Sequence, residues 1–151
     1  MKIKFKIAMV IALITVTTYC FGQTSNDAMI VKNINQLDWH PKKTLPAGAM
    51  SAAVYGDPSK GHYDFYGKFP ANYTVPMHWH SNDCMVEIIK GSMTIKRDGF
   101  ADVSIQQSGF FTLPAQMKYI AYTPTECIFL VHGEKPFDIT YLNSKDDPRN
   151  H

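Results

Sequence analysis

Ten short runs of apolar, aromatic and β-branched residues, each closed by turn chemistry, constrain this chain more than any other feature. They span 51–55, 62–69, 75–80, 85–90, 92–96, 101–105, 110–113, 119–122, 127–132 and 137–142. Between them stand Gly56-Asp57-Pro58, Pro70-Ala71-Asn72, Asp98-Gly99, Ser108-Gly109, Thr123-Pro124 and Gly133, residues that set special backbone angles or remove an amide donor. Beyond residue 22 no stretch holds an apolar 3.6-residue period over three turns. Strands this short, at spacings of about 8–12 residues, predict an all-β antiparallel sandwich or small barrel. Alternation within 62–69 puts Tyr63, Phe65 and Phe69 on one face. Asp98-Gly99 suits a tight hairpin with positive φ.

The N-terminal 22 residues read as an address. Lys2, Lys4 and Lys6 precede an apolar run from Ile7 to Ile14 that fades by about Thr18. That is short of the ~18–20 apolar residues a membrane span requires and fits a secretory signal cleaved before Gln23. A lipid anchor on Cys20 is disfavoured by the bulky Tyr19 before it. The expected organisation is a signal at 1–22, an N-terminal extension with partial strand character at 23–49, a barrel at 50–143 and a polar tail at 144–151. The expected location is periplasmic or secreted, with no membrane contact after cleavage.

Charge excludes some partners. The chain has 15 Lys+Arg against 13 Asp+Glu, but three of the lysines lie in the signal, so the remainder is close to neutral. No basic face for nucleic acid remains, and no period of 20–50 residues signals a solenoid or propeller. Cys84 and Cys127 follow the signal, in a compartment that permits a disulfide between them.

The chemistry concentrates in Val75-Pro76-Met77-His78-Trp79-His80-Ser81-Asn82-Asp83-Cys84. In a strand His78 and His80 share a face, and two neutral imidazoles side by side are half of a first-row metal site. The competing reading is a polar rim without metal. Glu87 falls on the opposite face, His132 fits a rim or structural role, and His40, His62 and His151 read as exposed.

His-x-His followed by a strand ending at Gly91 resembles the first motif of the cupin family, with Cys84 where that motif has its glutamate. Gly109-Phe110-Phe111-Thr112-Leu113-Pro114-Ala115-Gln116-Met117-Lys118-Tyr119 is similar to the second motif, with Gln116 at its glycine and Tyr119 at its histidine. The resemblance implies a cupin-type β-barrel (a jelly roll) with a ligand pocket at one mouth, and admits a homodimer. It implies a metal set of His78, His80, Cys84 and Tyr119 for a divalent transition metal (Fe, Mn, Zn, Cu or Ni). Thiolate, phenolate and imidazole suit such ions better than Mg or Ca. The alternative is a retired site, with Cys84 packed as an apolar residue and Tyr119 hydrogen-bonded to a histidine. Function then divides between an oxygenase- or isomerase-like metalloenzyme and a metal-free protein that binds a sugar or other small molecule.

Overall fold

Where the turn residues stand, the strands end. The computed structural model describes residues 29–150, so the signal, Cys20, the cleavage site before Gln23 and His151 lie outside the described residues. All elements below belong to the compact unit Lys32–His151. Eleven strands follow in chain order: β1 (His40–Pro41), β2 (Met50–Asp57), β3 (Gly61–Phe69), β4 (Tyr73–Trp79), β5 (Cys84–Lys90) and β6 (Ser92–Lys96). Then come β7 (Val103–Gln106), β8 (Phe110–Leu113), β9 (Tyr119–Thr123), β10 (Cys127–Gly133) and β11 (Thr140–Tyr141). They form two antiparallel sheets, one in the order β1-β2-β3-β10-β5-β8 and the other in the order β11-β4-β9-β6-β7. Among the described residues no helix is long and apolar enough to cross a membrane.

The core lies between the sheets and is built from alternate positions. In β3, Tyr63, Phe65, Gly67 and Phe69 are buried while Asp64, Tyr66 and Lys68 are half-buried, as the alternation predicts. In β5, Cys84, Val86 and Ile88 point inward and Glu87 is exposed. Aromatic rings carry much of the packing. Phe69 meets Tyr73 and Phe129 with ring centres 4.7 Å apart in each pair, contacts that add to area burial. Gly91 turns β5 into β6 at φ 79°, and a Cβ there would lie 2.2 Å from the Glu126 carbonyl oxygen. Only glycine fits that turn.

Two expectations need correction, and the open question of the cysteines is answered. The connection after β6 is a six-residue loop, with Phe100 N–H donating to Arg97 O at 3.2 Å. Only Gly99 takes positive φ in it, so Asp98-Gly99 is not a two-residue hairpin. The run at 137–142 shrinks to Thr140–Tyr141, because the Phe137 amide is drawn away to Pro58 O at 2.7 Å. The two cysteines are buried and both are free thiols.

Candidate functional site

The two histidines face inward because β4 changes parity part-way along. Tyr73 and Val75 are buried, and strict alternation would continue the inward set with Met77 and Trp79. Val75 pairs with Ala121, but His78 pairs with Tyr119, so three steps on β4 match two on β9. This bulge at Pro76-Met77 re-aims the chain. His78 and, one residue past the strand, His80 become 3% and 6% exposed, while Trp79 is half-buried.

Backbone carbonyls then fix both rings. His78 Nδ1–H donates to Pro76 O at 2.7 Å, within the bulge itself. His80 Nδ1–H donates to Asp138 O, and the Asp138 carboxylate accepts from the amide (2.8 Å) and hydroxyl of Ser81. Both Nε2 atoms are therefore unprotonated acceptors. Tyr119 O–H donates to His80 Nε2 at 2.8 Å. His78 Nε2 has no hydrogen-bond partner among the described residues.

Cys84 sits at the start of β5 and is 2% exposed. Its thiol donates to Asn82 O at 3.8 Å, and its sulfur lies 3.6 Å from the Tyr63 hydroxyl, a geometry suited to accepting that proton. The turn before β9 holds His80 from the other side. Gln116 adopts φ 63°, and its N–H donates to His80 O at 2.7 Å. A left-handed backbone costs an L-residue roughly 1–2 kcal/mol, partly offset by glycine's larger entropy loss on folding. Since the Gln116 side chain is exposed, Gln116→Gly is expected to raise unfolding stability by about 0.5–1 kcal/mol, read as a higher urea midpoint. A fall in the midpoint would refute the strain account.

All four residues expected from the sequence, His78, His80, Cys84 and Tyr119, line one cavity. The cavity volume is about 70 Å³, which suits a few waters or one small ring. The remaining wall is chiefly Phe, Val, Leu, Ile, Met and Ala side chains. Burial holds the polar members neutral. His78 is lowered to about 3, first by desolvation and then by His80; His80 is lowered by desolvation. The Cys84 thiol and the Tyr119 phenol are both raised by desolvation. Cys127 lies in the core, its thiol pushed up to about 12 by burial.

The expected four-ligand set lines one cavity, but no three His, Cys, Asp or Glu among the described residues form a metal-holding group, and no carboxylate among them lines that cavity. Cys84 and Tyr119 are each engaged in a hydrogen bond within the site. Catalytic zinc sites use three protein ligands, and here two imidazoles remain.

Three contributors carried no sequence signal. Tyr63 looked like plain core. Asp138 lies 58 residues from the histidine it orients. Lys42, among the described residues the only charged side chain on the cavity wall, belongs to a polar, Pro-interrupted segment. The other described histidines, His40, His62 and His132, sit on the outer surface. His132 bridges Asp64 (2.8 Å) and Glu134 (3.0 Å), and Glu134 also accepts from His62 at 2.9 Å. His40 is exposed beside Asp38.

Comparisons with known proteins agree with this architecture. The polyketide cyclase RemF from Streptomyces resistomycificus superposes with a TM-score of 0.68 at 14% identity, covering 80% of this chain and 90% of that one. An RmlC-like cupin protein from Ralstonia eutropha JMP134 gives 0.63 at 20% identity, covering 81% and 76%. The DMSP lyase DddQ from Ruegeria pomeroyi DSS-3 gives 0.58 at 13%, covering 70% and 61%. These likenesses show the cupin fold, and the neighbours include enzymes of unlike chemistry. No curated protein matches the sequence. Residues 22–140 match the family described as Domain of unknown function (DUF4437). With that match and the two-sheet barrel together, the chain belongs to the DUF4437 family and has the cupin fold.

Proposed function

We propose that this protein binds a small, largely apolar molecule in the barrel cavity without a metal, seating one hydrogen-bond donor of that molecule on His78 Nε2. The observation that carries the reading is the pairing of the polar wall. His80 is taken by Tyr119 and Cys84 by Tyr63, which leaves His78 Nε2 as the unpartnered acceptor among the four expected site residues. Apolar walls with a few placed polar groups suit such ligands. Binding is favoured over acid–base catalysis by these four groups. An effective general acid or base titrates near the working pH, and here the imidazoles are moved down and the thiol and phenol up.

A second reading has one observation behind it. Both Nδ1–H groups donate to carbonyls, which leaves the ring tautomer found in metal-bound histidine. A transition metal on His78 and His80, recruiting Cys84 or Tyr119 after proton loss, would give the metalloenzyme reading.

One experiment separates them. Untagged protein is analysed for Fe, Mn, Zn, Cu and Ni, and titrated with phenol and with toluene before and after chelation. The metal-free reading expects phenol to bind more tightly than toluene, unaffected by the chelator. It also expects His78→Ala to weaken phenol by about fivefold to tenfold, the worth of one hydrogen bond. Stoichiometric metal that His78→Ala removes would overturn it in favour of the metal reading.

A further inference from the structure

Lys42 follows β1 directly and leads the strap that closes over the barrel. The strap is tied at several points. Lys42 N–H donates to Ala49 O and Leu45 N–H to Lys42 O, both at 2.9 Å. The Tyr141 hydroxyl donates to Thr44 O at 2.9 Å and the Tyr73 hydroxyl to Pro46 O at 2.6 Å. Both tyrosines belong to the sheet that carries His78. The neighbouring Lys43 is exposed, as lysines usually are. Lys42 instead lays its ammonium over two rings of the cavity wall, 5.1 Å from the centre of Phe65 and 5.0 Å from that of Phe137.

Two aromatic faces attract a cation but do not neutralise it. No carboxylate pairs with Lys42 among the described residues, and none lines the cavity. Phe137 also stands 5.0 Å from the His80 ring, so one aromatic side chain separates the ammonium from the histidine end of the cavity. The cavity wall thus carries a cation, an uncharged acceptor on His78 and hydrocarbon side chains. Burial lowers the pKa of Lys42, the direction expected of a cation short of both water and a counter-ion.

We propose that the molecule held in this cavity is an anion, a small carboxylic acid with an apolar body, selected because, among the described residues, Lys42 is the sole charged side chain on the wall and has no acidic partner. The inference rests on the small-molecule reading above and names its ligand class. The carboxylate supplies the missing counter-charge under the strap, the hydrocarbon body lies against Phe65 and Phe137, and a hydroxyl or N–H at the far end reaches His78 Nε2. Lys42 is a specificity-determining residue in this arrangement.

The test uses matched probes that differ in charge but little in shape: benzoate against benzamide, and cyclohexanecarboxylate against its carboxamide. Each is titrated into the full-length protein by NMR at neutral pH. The acid is expected to bind about tenfold or more tightly than its amide, the usual worth of a charge-assisted hydrogen bond. Lys42→Met should bring each pair to within about twofold, and Lys42→Arg should keep the preference. The comparison within the wild-type protein stands even where a variant fails to fold. Amides binding as well as acids, or a preference that survives Lys42→Met, would overturn the anion assignment. If neutral probes still bind and His78→Ala weakens them, the small-molecule reading survives that failure. If no acid or amide binds the folded protein, both fall.

Discussion

Acidification from neutral pH to about pH 4 is expected to cost the fold roughly 3 kcal/mol through His78 alone. The ring is buried and neutral, with its pKa lowered to about 3 from the ordinary 6.5. An unfolded chain takes up a proton on this histidine near pH 6.5, whereas the folded chain does not until about pH 3. Between those values the unfolded state binds more protons, so stability is present above pH 6.5 and falls as the pH drops. His80, also lowered by burial, adds to the loss in the same sense. His132 has the opposite sign, because Asp64 and Glu134 raise its pKa; its pairing stabilises below the unfolded value and is lost as the pH rises. That site is on the surface, where solvent screens it and shrinks its effect. Urea midpoints measured from about pH 7 down to about pH 4 would show the decline. His78→Gln should flatten the slope whatever it does to the midpoint at neutral pH. A wild-type midpoint unchanged between about pH 7 and pH 5 would contradict the buried neutral pair.

Phe129→Ala should be among the damaging truncations in the barrel, at about 3–5 kcal/mol. Its ring covers Gly67 on the neighbouring strand, so closely that a Cβ on that glycine would stand 2.3 Å from it. The same ring packs on Phe69 at 4.7 Å and forms part of the cavity wall. No side chain on Gly67 can move in to fill the space, so relaxation is limited and the loss falls in the upper part of the range for this substitution. Phe129→Leu keeps most of the volume and should lose far less. Thermal or urea unfolding of the pair decides the matter. A loss under about 1 kcal/mol for Phe129→Ala would mean that the ring does not pack against Gly67 and Phe69 as described.

Much of the fold was legible because turns and strands are local. Gly56-Asp57-Pro58, Pro70-Ala71-Asn72 and Ser108-Gly109 stop the chain wherever they occur, and the runs at 92–96 and 110–113 emerge as β6 and β8 with the same bounds. The alternation of Tyr63, Phe65 and Phe69 survives because β3 is paired on both sides without a break against β10. Where the chain leaves regular pairing, local reading loses its grip. The 137–142 run shortens through a hydrogen bond to Pro58, a residue far away in sequence.

The candidate site divides along the same line. Residue type and spacing marked His78 and His80, and the resemblance to the cupin motifs marked Cys84 and Tyr119. Which way those side chains point was set by the Pro76-Met77 bulge, whose existence depends on the register of β4 against β9. The protonation states came from burial and from carbonyls such as that of Asp138, neither of which a sequence displays. Lys42 belongs wholly to the tertiary level, because a lysine in a polar segment becomes a cavity cation only when the strap folds across the barrel mouth. Short-range steric and hydrogen-bonding preferences wrote the strands into the sequence, whereas orientation, charge state and the lysine's place depend on contacts between distant segments that only folding creates.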